Sequence, residues 1–277
     1  MNIKLLLDDA SRQLTGITDT PRLDAELLLA HALKKSRTFL FTWPQHIVDA
    51  AARQHFEQLL AQRLAGQPIA HLIGEREFWS LNLHVTADTL IPRPETELLV
   101  EQALRLLPRT EIKIADLGTG SGAIALALAS ECPQWQITAT DKSAAALDIA
   151  RGNAQKLGIK NIRFVNGNWF EPLANERFHA IVSNPPYIPE NDAHLSQGDL
   201  RFEPASALSS GSDGLDAIRH IAQHAGDYLL PGGLLMVEHG YDQQSQAYEI
   251  FKRSGFVNIS QFVDLGSHPR LTLGYTP

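Results

Sequence analysis

At 277 residues, 44% of them hydrophobic and 20% charged, the chain has the composition of a globular protein with one ordinary core and a smaller second one. No apolar run reaches the roughly 18 residues of a membrane span, and Leu5-Leu6-Leu7 meets Asp8 and Asp9 too soon for a secretory signal, so a cytoplasmic chain without a membrane partner is expected. The net charge of -7 is unevenly spread, with 8 Lys+Arg against 7 Asp+Glu in residues 1–73 and 16 against 24 in the remainder, which gives no general pull on a phosphate backbone and speaks against direct nucleic-acid binding.

Ile3, Leu6, Leu7, Ala10 and Leu14 fall on one helical stripe. Thr20-Pro21 offers a cap and a first-turn proline to a helix over 23–33, and 51–64 carries Phe56, Leu59, Leu60 and Leu64 before Gly66 and Pro68 stop it. Residues 1–73 therefore read as a small helical domain, and the stripes alone suit a structural accessory as well as a substrate-docking one. From Gly74 the period shortens: Phe78, Leu81, Leu83 and Val85 alternate with polar residues and predict a β-hairpin over 74–92 that links this domain to the next. Pro94 then opens an amphipathic helix over 95–107.

Beyond it, strands at 112–117, 137–141, 162–166, 180–183 and 234–238 alternate with helices at 121–130 and 144–157, while 259–264 and 271–275 lack an intervening helix and suggest an antiparallel edge pair. A doubly wound α/β sheet follows for residues 93–277, with its ligand crevice at the carboxyl ends of the central strands.

Asp116-Leu117-Gly118-Thr119-Gly120-Ser121-Gly122 stands where the first strand of that sheet hands over to its helix, so the backbone can turn tightly against a ligand. Asp141, at the end of the next strand, is placed to accept hydrogen bonds from a ribose diol. Gly118, Gly120 and Ala123 also satisfy a loosened dinucleotide fingerprint, which keeps a nicotinamide oxidoreductase in view. Asp116 argues against it, because a carboxylate there would repel a pyrophosphate and suits a ligand bearing an ammonium, as S-adenosylmethionine does.

Ser183-Asn184-Pro185-Pro186-Tyr187 follows an apolar strand and so reaches the same crevice. An amide or exocyclic amine is a poor nucleophile because its lone pair is delocalised, and attack requires acceptors on both N–H groups. Asn184 can accept through its side-chain oxygen and Pro185 through its backbone carbonyl, held out of a helix by the Pro185-Pro186 step, while Tyr187 supplies an aromatic wall. Methyl transfer by positioning and desolvation is the chemistry these residues suit, and no metal is demanded.

These segments, with the lead-in Ile91-Pro92-Arg93-Pro94-Glu95-Thr96-Glu97, the hairpin around Glu77-Phe78-Trp79 and the run Arg201-Phe202-Glu203-Pro204, resemble the release factor glutamine methyltransferase family (PrmC or HemK) over essentially the whole chain. The resemblance implies a Rossmann-like class I methyltransferase domain, S-adenosylmethionine as methyl donor, and class I peptide chain release factors as protein substrates, methylated on the glutamine of a Gly-Gly-Gln motif. It further implies that Gly118, Thr119, Gly120, Ser121 and Gly122 cradle methionine and ribose, that Trp169 lies against the adenine, and that Asn184 bridges cofactor and glutamine. Many relatives carry an acid where this chain has Asn168, which removes one acceptor beside the adenine amine. Arg93, Pro94 and Glu203 are expected at the border of the pocket, with Arg93 and Pro94 equally readable as a domain-linking elbow and Glu203 as a turn element. A monomer is expected.

Other constellations carry less. His220 and His224 are four apart on a predicted helix, but Ile221 occupies the place of the usual glutamate and a third ligand is lacking, so metal binding is not expected. The lone Cys132 excludes an internal disulfide and reads as a small buried hydrophobe. The main rival function is an adenine exocyclic-amine methyltransferase acting on nucleic acid, since the same tetrapeptide solves the same delocalised-nitrogen problem. An inert methyltransferase domain in a translation-associated binding protein is a third reading.

Overall fold

The computed structural model describes residues 1–277, which divide into two compact units, 1–75 and 76–277. In the first unit α1 (Ile3–Leu14), α2 (Pro21–Leu33) and α4 (Ala50–Leu64) enclose a core, with the short α3 (Arg37–Thr42) and α5 (Ile69–Ile73) between and after them. The expected stripe Ile3, Leu6, Leu7, Ala10 and Leu14 is buried, as are Phe56, Leu59 and Leu60. Asn2 and Asp49 cap α1 and α4 by accepting from the backbone N–H of Leu5 and Ala52. Thr20 departs from expectation: its hydroxyl donates to Asp24 Oδ1 at 3.0 Å instead of capping α2. Asp24 in turn accepts from buried Arg63 at 2.8 Å, a pair that ties α2 to α4. The helices α3 and α5 have only 6 and 5 residues, too few for a period to register.

A hairpin of β1 (Glu75–Phe78), which lies in the second unit from Arg76 on, and β2 (Leu81–His84) comes next, turning through Trp79 and Ser80, both at positive φ. The chain then makes a 3-10 turn at Pro94–Thr96 before α6 (Glu97–Leu106), so Pro94 opens a tighter turn than the α-helix expected there. The alternating part runs β3 (Lys113–Leu117), α7 (Ala123–Glu131), β4 (Gln136–Asp141), α8 (Ala144–Leu157), β5 (Ile162–Asn166), β6 (Phe178–Ser183), α9 (Ala205–Leu208), α10 (Asp216–Ala225), β7 (Leu229–Glu238), α11 (Gln244–Arg253), β8 (Val257–Val263) and β9 (Pro269–Tyr275).

These strands form one sheet in the order β5-β4-β3-β6-β7-β9-β8, in which the β3, β4, β5, β6 and β7 pairings are parallel and β9 runs antiparallel to both neighbours. Successive strand residues point to opposite faces: Leu234 and Met236 join one apolar layer with α6 and α7, and Leu235 and Val237 join the other with α10 and α11. The anticipated antiparallel pair is present, with the last strand lying inside and β8 forming the edge. The chain winds one way from β3 through β4 to β5 and the other way from β6, so the order reverses between β3 and β6. Their carboxyl ends carry the glycine loop and the Asn184 loop, which is where such a reversal opens a crevice.

Candidate active site

A cleft open to solvent lies over those strand ends. Its floor is the loop between β3 and α7. Gly118, Gly120 and Gly122 all have positive φ. At Gly118 a Cβ would come within 3.3 Å of the Trp169 ring, and at Gly122 within 2.9 Å of Leu126 and 3.2 Å of Ala150, so the first glycine admits the indole and the last lets α7 pack on α8. The N–H groups of Gly118 and Thr119 donate to the Thr140 carbonyl at 2.9 Å, and Gly120 N–H donates to Asp141 Oδ2 at 2.9 Å. Asp141 Oδ1 accepts from Ser143 N–H, also at 2.9 Å, so one carboxylate fixes both the glycine loop and the start of α8.

Gly118, Thr119, Gly120, Ser121, Asp141, Asn168 and Trp169 line the cleft. Trp169 sits in the left-handed backbone region at φ 49°, a conformation rare for a bulky side chain, and its carbonyl accepts from Thr140 Oγ1 at 3.2 Å. Asn168 is exposed beside it, with its N–H donating to Glu171 Oε2 at 3.2 Å. Gly122 is outside the lining, at the cap position just before α7.

Asp116 is fully buried beneath the loop, behind Thr119, whose hydroxyl donates to its Oδ2 at 2.6 Å. Burial pushes its pKa up to about 7, opposed by the Thr119 hydroxyl and an Ala125 backbone N–H and reinforced by Asp141. Its Oδ1 has no partner. A buried acceptor without a donor is costly; Asp116 lies outside the cleft lining and holds that acceptor beneath the glycine loop.

The opposite wall is the loop after β6. Ser183 anchors it by donating through Oγ to the Leu117 carbonyl at 2.7 Å. Asn184 Nδ2 donates to Thr96 Oγ1 at 2.9 Å, while Asn184 Oδ1 is buried without a partner. Asn184, Pro186 and Thr96 line the cleft, whereas Pro185 is buried behind them. Tyr187, expected as an aromatic wall, stands outside the lining: its ring joins the apolar layer under β7, its carbonyl accepts from Gln243 Nε2 at 2.9 Å, and its hydroxyl approaches Glu238 Oε1 at 3.5 Å. Burial and the Glu238 charge raise its pKa.

The border residues divide similarly. Arg93 lines the cleft, and Pro94 is exposed outside it. The Glu203 side chain is inaccessible; it pairs with the Arg93 guanidinium and accepts from Ile91 N–H through Oε2 at 2.8 Å. Thr96, from the run Ile91 to Glu97, and Pro204, from the run Arg201 to Pro204, also line the cleft, together with Ala87 to Leu90, Ser206 and Ala207, which carry no chemical signal in the sequence. Glu238 is buried at the end of β7, with its pKa raised to about 7 by burial. His220 and His224 lie tilted beside Phe170, and His224 Nδ1 bonds to the His220 carbonyl.

The PrmC N-terminal domain signature matches residues 6–74, and that of the methyltransferase small domain matches residues 94–211. A release factor glutamine methyltransferase of Coxiella burnetii is 50% identical over 98% of both chains. Others from Vibrio cholerae and Salmonella typhimurium are 51% and 45% identical, over 99% and 100% of this chain and 96% and 100% of the relative. The chain belongs to the release factor glutamine methyltransferase family. Solved structures with 18% identity share the fold: a methyltransferase from Pyrococcus furiosus, with TM-score 0.55 over 79% of this chain and 98% of its own, and the Thermus thermophilus 16S rRNA N2 G1207 methyltransferase in complex with AdoMet and guanosine, with TM-score 0.54 over 73% and 50%. The class I methyltransferase fold of this family is thus the doubly wound sheet described above, and no helix is long and apolar enough to cross a membrane.

Proposed function

We infer that the protein is an S-adenosylmethionine-dependent methyltransferase that methylates the side-chain amide nitrogen of glutamine in the Gly-Gly-Gln motif of class I peptide chain release factors. The observation that carries this reading is Asn184: its NH2 group is committed to Thr96, and its oxygen is a buried, partnerless acceptor. Such an atom is suited to a planar N–H2 group and of little use to a hydride-transfer site. Relatives of this name that match end to end support the choice of substrate.

When bound, S-adenosylmethionine supplies an electrophilic methyl group on a sulfonium. The residues present fit it. The Gly118 cradle, which a Cβ would crowd, receives its methionine part, with the unpartnered Asp116 Oδ1 beneath as acceptor for the ammonium. Asp141, Asn168 and Trp169 serve the ribose and adenine. On the other wall Asn184 Oδ1 and the Pro185 carbonyl hold the two amide hydrogens, turning the nitrogen lone pair away from them, and Pro186 and Tyr187 shape the loop that carries both acceptors. Arg93 borders the opening, held from behind by the buried Glu203.

We assign residues 1–73 to substrate docking, 74–92 to a linking hairpin and 93–277 to catalysis. The protein acts as a cytoplasmic monomer without direct nucleic-acid contact. An adenine-amine methyltransferase would use the same acceptors, but the excess of acidic residues beyond residue 73 opposes it. Incubation with methyl-labelled S-adenosylmethionine and either a release factor or DNA, followed by mass spectrometry, decides between them. Label on the glutamine of Gly-Gly-Gln is expected, and label on adenine alone would overturn the assignment.

A further inference from the structure

Two acceptors that must meet both hydrogens of one flat nitrogen have to be placed accurately, since small misplacements of reacting groups are costly in rate. Asn184 and Pro185 each precede a proline, and Pro185 and Pro186 have ring-fixed φ, so the segment 184–186 is a stiff strut. A stiff strut points wherever its ends are held. Its upstream end is Ser183, whose Oγ donates to the Leu117 carbonyl at 2.7 Å. Its downstream end is Tyr187, whose carbonyl stands two residues beyond that of Pro185.

The Tyr187 carbonyl is gripped by Gln243, 5% exposed at the start of α11. Gln243 Nε2 donates to that carbonyl at 2.9 Å and to the Asp213 carbonyl at 3.4 Å, while Oε1 accepts from Gly240 N–H at 2.8 Å. An N–H can only donate and a carbonyl can only accept, so these partners admit one orientation of the amide. The Gln243 N–H also donates to the Gly240 carbonyl at 3.0 Å, which pins main chain and side chain to one residue just past β7. Gly214 closes the grip from the other side. It has a φ of +76°, and a Cβ there would come within 2.2 Å of the Tyr187 oxygen and 2.8 Å of Gln243 Nε2. Only a residue without a side chain lets the segment before α10 lie against this bond.

We propose that Gln243, seated on Gly240 and flanked by Gly214, is a positioning residue for methyl transfer: by fixing the Tyr187 carbonyl it holds the Asn184 oxygen and the Pro185 carbonyl as one unit, at the spacing and angle that a substrate N–H2 group requires. Gln243 is outside the cleft lining and acts only through the strut. This deepens the function proposed above and rests on Asn184 and Pro185 being the acceptors for the substrate amide.

Steady-state methylation of a release factor tests it, with kcat expressed per S-adenosylmethionine-binding site counted by calorimetry, so that loss of folded protein is separated from loss of positioning. Gln243→Met keeps the length of the side chain and deletes its hydrogen bonds. Its kcat per site is expected to fall about tenfold to a hundredfold, with KM for the release factor and the S-adenosylmethionine dissociation constant within about threefold of the parent. Gly214→Ala leaves Gln243 in place but displaces the Tyr187 carbonyl, and is expected to show the same split between kcat and binding. Added to Asn184→Ala, Gln243→Met should cost about threefold or less, because the unit it positions is already broken.

The proposal is overturned if kcat per site stays parental in Gln243→Met or Gly214→Ala while only Tm or the number of binding sites falls, if cofactor affinity is lost in step with kcat, or if Gln243→Met exacts its full loss in the Asn184→Ala background. Parental activity in Asn184→Ala itself would instead remove the reading of the cleft on which the proposal stands.

Discussion

The two walls of the cleft are built from different materials. The floor from Gly118 to Gly122 is mostly main chain, shaped by positive φ and by N–H groups held on Thr140 and Asp141. The wall after β6 depends on one side chain, Asn184, with one end tied and the other open. A surface made of backbone tolerates a change of side-chain chemistry but not an added Cβ, whereas one resting on a single amide tolerates added bulk nearby but not the loss of one oxygen.

The sharpest separation of the walls is expected from Asn184→Ala. Removing one preorganised hydrogen-bonding group from a reacting centre costs about 10²–10³ in kcat, and cofactor affinity, read by calorimetry, should hardly move; a large loss of that affinity would erase the distinction. Gly122→Ala probes the other wall. Its Cβ would meet Leu126 and Ala150 at positive φ, so a loss of about 1–3 kcal/mol is expected in denaturant unfolding.

Gly118→Ala shares the strain of positive φ but meets only the edge of Trp169, at 3.3 Å, so it should cost less stability than Gly122→Ala while weakening cofactor binding by about tenfold. Equal unfolding losses at both glycines would contradict the separate tasks given to them.

The smallest effect is a pH dependence on the Asn184 side. The pKa of Glu238 is raised from 4.5 to about 7 by burial, so its contribution to stability is fully present below about 4.5 and is lost as pH rises through about 7. Glu238→Gln, neutral throughout, should therefore gain in Tm relative to the parent between pH 5 and pH 8. Scanning calorimetry with a constant difference across that range would show that the carboxylate is not the group responsible. Asp116, raised from 3.8 to about 7, contributes with the same sign to parent and variant and so drops out of the difference.

The same contrast governs what could be read before folding. Asp116 to Gly122 and Ser183 to Tyr187 are contiguous, each at a strand end, and the α/β rhythm announces where strand ends gather. Thr96 reaches Asn184 from 88 positions away, and no local pattern marks a threonine that will meet an amide only after the sheet has closed. Tyr187 shows the converse. A motif places an aromatic residue beside the site, but whether its ring faces cleft or core depends on Glu238 and Gln243, which are remote in sequence. The position of β9 inside β8 is likewise a matter of pairing, invisible to periodicity.

Glu203 joins two segments that border the opening. Through its bonds to Ile91 and Arg93, this inaccessible carboxylate fastens the stretch 204–207 to the stretch 87–93, 112 residues away in the case of Ile91. Separating them means exposing or orphaning a buried charge, at a cost of about 3–5 kcal/mol. The width of the doorway is therefore a property of one side chain, and any guest too bulky for the present gap must break that clasp to pass.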